Sequence, residues 1–242
     1  MTGAHPELRG DHHVHSTFSD DATSTLEEDV AAAHARGLTS LRLVDHVRSS
    51  TAWLPEFRAA TAALSVPDGL VVTTGVETKV LDVAGALDLP PGDLGVDAVL
   101  VSDHQVPGPD GPWTPDRTRA ALADGLPVGE LLDRLVDALV AAAGAAADRA
   151  PVVQVAHCFS ILPKVGLTED DLTDAQLARW AHGLAAAGAL VEVNEKWTCP
   201  GPRALRAAEA AGARLVAATD SHTAADVGVY DRVAALLTEA RA

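Results

Sequence analysis

A chain of 242 residues is long enough to bury one sizeable core, and an α/β barrel of this length folds as one domain. The residues are 48% hydrophobic but only 3% aromatic, so the core must be mainly Ala, Val and Leu. Lys+Arg 18 against Asp+Glu 34 gives a formal charge of −16, which argues against a nucleic-acid duplex or an anionic membrane as partner.

A small anionic substrate stays compatible with that charge where bound divalent ions reverse the local field. Met1 to Arg9 lacks the apolar stretch of a signal peptide and reads as a tail, residues 1–9, ahead of a single domain at 10–242. Cys158 and Cys199 have no CxxC spacing, so no disulfide framework is expected and the cytoplasm is the default compartment. The Ala-rich stretch Leu131 to Ala147 is broken by Asp133, Arg134, Asp137 and Gly144, which makes it a buried helix and not a bilayer span.

Val/Leu-rich strand patterns alternate with Ala-rich helical patterns along the whole chain. The first strand leads into His13 and His15, which share a face because strand side chains alternate with period 2. A helix follows, capped by Ser24 or Thr25 with Glu27 and Glu28 in its first turn, and stops at Gly37. Strand two, Thr39 to Val44, delivers Asp45 and His46; a helix at Pro55 to Leu64 precedes strand three, Leu70 to Val76, which delivers Glu77. Thr78 to Gly95 reads as a small appended hairpin around Gly85, and strand four, Val96 to Val101, delivers Asp103 and His104.

Pro107 to Pro112 is the clearest loop signal in the chain. Helices at Pro115–Asp124 and Val128–Ala147 lead to strand five, Pro151 to Ala156, and His157. Helix Thr173 to Ala187 stops at Gly188, and strand six, Ala189 to Val193, delivers Asn194. Helix Arg203 to Ala211 stops at Gly212, strand seven, Arg214 to Ala218, delivers Asp220 and His222, and a helix at Asp231 to Ala240 closes the chain.

Seven strands alternating with helices imply a parallel sheet with right-handed crossovers, whose functional residues gather where strands run into βα loops. An open doubly wound sheet would collect ligands at one switch point. Ligand-type residues on six of the seven strands fit a ring better. Of the ten histidines, six (13, 15, 46, 104, 157 and 222) fall at strand ends, accompanied by acids. Such a set exceeds the needs of one ion and suffices for two or three sharing a carboxylate, an arrangement suited to phosphoryl transfer.

The successive motifs Asp11-His12-His13-Val14-His15-Ser16 with Ser19-Asp20, Val44-Asp45-His46, Gly75-Val76-Glu77, His104, Val155-Ala156-His157 and Thr219-Asp220-Ser221-His222 resemble those of the PHP (polymerase and histidinol phosphatase) superfamily, in order, from residue 11 to about 230. The resemblance implies a distorted (βα)7 TIM-like barrel and a metal-dependent phosphoesterase. It also implies two to three divalent ions of zinc, manganese or iron, and a small phosphomonoester attacked by a metal-bridging hydroxide.

Carried across residue by residue, the implied metal ligands are His13, His15, Asp20, His46, Glu77, His104, His157, Asp220 and His222, with Glu77 bridging two ions. Glu77, His104, Asp220 and His222 are the catalytic candidates. Arg48, Lys79, Lys196 and Asn194, just beyond strand ends, are the candidates for holding substrate. Asp45 and Asp103 are placed to orient neighbouring ligands. Trp53, Trp113 and Trp197 offer an apolar wall for the leaving group. Two rivals exist. An amide or lactone hydrolase on a related barrel would carry a bridging lysine, and no predicted strand ends in Lys. A non-catalytic metal-binding PHP module would lack ligands, and this set looks complete.

Overall fold

The computed structural model describes residues 5–242. Its elements, in chain order, begin with a 3-10 turn at Pro6–Arg9, strand β1 (Gly10–Val14), helix α1 (Leu26–Ala35), β2 (Ser40–His46), α2 (Leu54–Ala62), β3 (Val71–Lys79) and β4 (Ala98–Ser102). A two-stranded hairpin follows, β5 (Val106–Gly108) and β6 (Gly111–Trp113), then α3 (Pro115–Ala123), α4 (Val128–Ala147) and β7 (Val152–Ala156). The chain continues through α5 (Asp174–Ala186), β8 (Leu190–Asn194), α6 (Pro202–Ala210), β9 (Arg214–Ala218) and α7 (Arg232–Ala240).

Seven of the strands form one parallel sheet in the order β1-β2-β3-β4-β7-β8-β9, which curls until β1 and β9 meet. Closure there is made by few bonds. Val14 bridges Ser221, His15 N–H donates to the Ser221 carbonyl at 2.9 Å, and buried Asp11 accepts from Thr219 N, Thr219 Oγ1 and Gly228 N. The barrel is therefore α/β and TIM-like, distorted where first and last strands join.

Local chemistry explains the element ends. Thr25 caps α1 with a reciprocal pair: its Oγ1 accepts from Glu28 N, and Glu28 Oε2 accepts from Thr25 N at 2.8 Å. Helix α4 buries Leu131, Leu132, Leu135, Val136 and Leu139 along one stripe against the sheet and α5. Val44, Ala98, Leu100 and Ala156 fill the barrel interior, and Gly75 leaves them room, since a Cβ there would sit 3.2 Å from both Leu100 and Val44.

Three details differ from the sequence reading. The hairpin lies at Val106–Trp113, inside the stretch read as loop, while Thr78 to Gly95 holds only an isolated Val80–Leu87 bridge. Pro107 pairs with Pro112, so neither ring costs the ribbon a ladder hydrogen bond, and Gly108 lets the Trp113 indole lie against its backbone. Strand β3 continues two residues beyond Glu77, so a barrel strand does end in a lysine, Lys79. In the segment read as a tail, Pro6–Arg9 forms the 3-10 turn and buried Leu8 packs with Val193, Leu205 and α7 residues; residues 1–4 lie outside the described part.

Candidate metal centre

At the mouth where the parallel strands end, six of the seven barrel strands deliver one cluster. Glu77, two residues before the end of β3 and 1% exposed, stands at its centre. His46 Nδ1 lies 2.8 Å from its Oε2; His157 Nε2 and His104 Nε2 lie 2.9 and 3.1 Å from its Oε1. His13 Nε2 and His15 Nε2 face Oε2 at 3.4 and 3.6 Å, and stand only 3.0 Å from each other. Asp220 Oδ1 approaches His15 Nε2 to 3.2 Å. His222 Nδ1 is 3.7 Å from the same oxygen. Both His157 (φ 30°) and Asp220 (φ 53°) hold a backbone conformation that non-glycine residues seldom adopt, a strain associated with functional sites.

Groups behind the ring fix which imidazole nitrogen is bare. Ser160 Oγ gives its single proton to Asp103 Oδ1 (3.0 Å) and so must accept from His157 Nδ1–H (3.1 Å), leaving a lone pair on Nε2. Ser19 repeats the device between Asp45 (2.6 Å) and His15 Nδ1 (3.3 Å). His13 Nδ1–H donates to Glu192 Oε2 at 3.0 Å, with the same result. In the neutral imidazoles the inward lone pairs of His13 and His15 thus face buried Glu77 Oε2, and that of His157 faces its Oε1. Such a set is mutually repulsive unless cations sit among its members.

The electrostatics agree. Burial disfavours charge on His157 and His13, yet Asp103 and Glu77 push His157 up to about 10, and Glu192 and Glu77 hold His13 well above its usual range. Burial likewise opposes ionisation of Glu77, but His104 and His13 keep its carboxyl far below the ordinary value. His15, buried and beside His13, is driven down to about 3. Glu77, Glu192 and Asp220 are all nearly inaccessible, and no Lys or Arg is buried with them at the mouth. Left to the side chains, that demand is met by protonating His13 and His157, so the neutral, lone-pair-bearing state of the cluster needs its positive charge from bound cations. Three donor groups answer it, each with its donor atoms within 4.8 Å of one another: His15/His46/His222, His13/His15/Glu77 and Glu77/His104/His157. Nitrogen and oxygen donors in that mix suit borderline divalent metals.

Not every predicted residue lands in the cluster. The carboxylate that reaches it from the first βα turn belongs to Asp21, whose Oδ2 is 3.2 Å from His222 Nε2 and 3.6 Å from His46 Nε2; Asp20 is exposed on the rim. Asn194 is buried with its amide spent on neighbours, Nδ2 donating to Glu192 Oε1 and Oδ1 accepting from Trp197 N. Arg48, Lys79 and Lys196 do line the recess over the cluster, about 350 Å3 in volume. Lys196 Nζ stands 3.2 Å from His222 Nδ1 and 3.6 Å from Asp220 Oδ2, whereas Lys79 turns toward Asp88 at 3.8 Å and does not bridge the cluster. Of the tryptophans, Trp197 lines the recess and its Nε1–H donates to Asp220 Oδ2 at 2.8 Å, while Trp113 belongs to the hairpin.

Glu192, Ser19 and Ser160 are functional supports that the sequence reading left unassigned. Glu192 stands two residues before Asn194 on β8, so strand alternation put it on the inward face. The serines carry no comparable pattern.

Comparison with known proteins gives a consistent picture. The family model for the PHP domain matches residues 11–195. A probable phosphatase of Vibrio parahaemolyticus is 32% identical over 103 residues, 41% of each chain, and one of Caldicellulosiruptor saccharolyticus is 34% identical over 115 residues, 46% of this chain and 47% of its own. The aligned part thus spans less than half the length of these relatives. The crystal structure of histidinol phosphate phosphatase from Lactococcus lactis, complexed with zinc, L-histidinol and phosphate, superposes with a TM-score of 0.62 at 16% identity, covering 96% of this chain and 92% of its own. That likeness speaks for the fold.

Proposed function

The chain belongs to the PHP domain family, and from that premise we propose that it is a metal-dependent phosphoesterase acting on a small phosphomonoester. The observation that carries the reading is the convergence on buried Glu77 of the Nε2 atoms of His13 and His15, facing Oε2, and of His157, facing Oε1, each turned inward by a partner on its Nδ1. Two to three divalent ions of zinc, manganese or iron, held by His13, His15, His46, Glu77, His104, His157, Asp220 and His222, with Asp21 at the edge, would supply Lewis acidity toward the phosphoryl oxygens and toward water.

The chain's own residues do the rest. Glu192, Ser160 with Asp103, and Ser19 with Asp45 hold His13, His157 and His15 in the donor tautomer, so little reorganisation is needed at the moment of reaction. Glu77 belongs to two of the three donor groups and would be the carboxylate they share. Lys196, beside Asp220, and Arg48, which lines the same recess, neutralise phosphoryl oxygens. His104, His46 and His222 are more open than the inner ring and are the imidazoles that meet substrate.

Both cysteines are free and buried, as suits a reducing cytoplasm, and no helix among the described residues is long and apolar enough to cross a membrane. An amide or lactone hydrolase gains no support, because Lys79 faces Asp88. The test is a phosphate-release screen over phosphate esters, amides and lactones with protein purified without chelator. Turnover of phosphomonoesters that disappears in Glu77→Ala is expected. Hydrolysis of amides or lactones alone, or undiminished turnover by Glu77→Ala, would contradict the reading.

A further inference from the structure

Asp220 meets the cluster with one oxygen only. Its Oδ1 faces inward, 3.2 Å from His15 Nε2, 3.7 Å from His222 Nδ1 and 4.0 Å from His13 Nε2. Its Oδ2 is turned away, where the Trp197 indole N–H donates to it at 2.8 Å and Lys196 Nζ stands 3.6 Å off. The two oxygens of a carboxylate are chemically equal. Only what bonds each of them decides which one faces the donors.

Trp197 is itself firmly held. Asn194 closes the turn after β8: its Oδ1 accepts from Trp197 N at 2.8 Å, its carbonyl accepts from Thr198 N at 3.0 Å, and its N–H donates to the Cys199 carbonyl at 2.8 Å. A carboxylate only accepts and a backbone N–H only donates, so the Asn194 amide, set between Glu192 Oε1 and Trp197 N, has one possible orientation. Lys164 Nζ lies over the indole, 4.2 Å from its centroid, which leaves less of the ring to serve as a wall for substrate. One line of hydrogen bonds therefore runs from His13 through Glu192, Asn194 and Trp197 to Asp220.

We propose, resting on the metal-centre reading, that Trp197 is a positioning residue for Asp220, its indole N–H holding Oδ2 back so that Oδ1 alone serves as metal donor. A ligating carboxylate without its outer hydrogen bond is free to rotate or to bind through both oxygens, and losing such an outer partner weakens metal affinity.

The test uses zinc as the probe, on protein stripped with chelator and titrated against a chromophoric competitor. Trp197→Phe keeps an aromatic ring and removes the donor, and its zinc affinity is expected to fall by about tenfold or more. Replacing the Trp197 N–H by sulfur, through incorporation of benzothienylalanine, keeps the shape as well and should give the same loss. With phenyl phosphate as substrate, excess zinc should recover most of the turnover lost in Trp197→Phe, with KM within about twofold of wild type. Zinc affinities of both variants equal to wild type, or a raised KM as the sole change in Trp197→Phe, would overturn the proposal and make Trp197 a substrate wall. A loss in Trp197→Phe that the sulfur analogue does not share would assign the effect to packing, and would overturn it equally. A wild type that binds zinc but releases no phosphate would contradict the phosphoesterase reading, and the zinc affinities alone would then decide this inference. A wild type that binds no zinc would overturn both.

Discussion

The barrel mouth and the flank beneath helix α1 both bury a carboxylate, with opposite results. Glu77 is 1% exposed, yet five imidazoles surround it and its carboxyl stays ionised far below the usual range. Asp29 is fully buried against the sheet with neither oxygen hydrogen-bonded, and burial pushes it up to about 7. Burial alone therefore does not make an acid functional; it makes it costly and prone to protonation. What distinguishes the mouth is the convergence of donors from several strands on one carboxylate, with His13, His15 and His157 each held by a partner of its own.

Five substitutions can break or sharpen that contrast. Glu77→Gln keeps shape and removes the charge shared between donor groups; phosphatase kcat/KM should fall by at least about a thousandfold, and metal content, measured in parallel, should drop with it. Glu192→Gln leaves the cluster intact but weakens the acceptor behind His13. Metal affinity measured by competition with a chromophoric chelator should fall roughly 10–100-fold.

Asp29→Asn probes the other side of the comparison. The unfolded carboxyl gives up its proton near pH 4, whereas the folded one keeps it to about pH 7. Between those values the folded chain binds more protons than the unfolded, so wild-type stability declines as pH rises. Asparagine abolishes that decline. Urea unfolding should show Asp29→Asn more stable by about 1–2 kcal/mol at pH 8 and no more stable near pH 4. The smallest effect separates neighbours in the first βα turn. Asp21→Ala should lower phosphatase kcat/KM by roughly three- to tenfold and Asp20→Ala by less than about twofold, since only Asp21 reaches His46 and His222.

Much of this was legible in the sequence because period 2 and period 3.6 patterns alternate cleanly and glycines stop the helices where they should. Strand β9 begins and ends where predicted, and α4 matches residue for residue. The histidines were legible because each follows an apolar run that can only be a buried strand. Turns were not. Whether Asp20 or Asp21 faces inward depends on one residue of rotation in an irregular segment, which no periodicity sets. The Pro107–Pro112 stretch looks like a loop by composition, and only the pairing register, with proline opposite proline, makes a hairpin of it. Asn194 sits at a strand end like the histidines of the cluster, but its amide is consumed by Glu192 and the Trp197 backbone. Ser19 and Ser160 act through partners more than twenty residues away, Asp45 and Asp103, a relation that appears only when the strands are brought together.

Elemental analysis of protein purified without chelator, alongside Glu77→Gln prepared the same way, tests most directly whether the inward-facing nitrogens and oxygens hold divalent ions. Two to three ions of zinc, manganese or iron per chain, with at least one lost in the variant, are expected. A wild-type protein that folds, stays free of divalent metal after exposure to all three, and matches its variant would show that the cluster at the mouth of the barrel is not a metal centre.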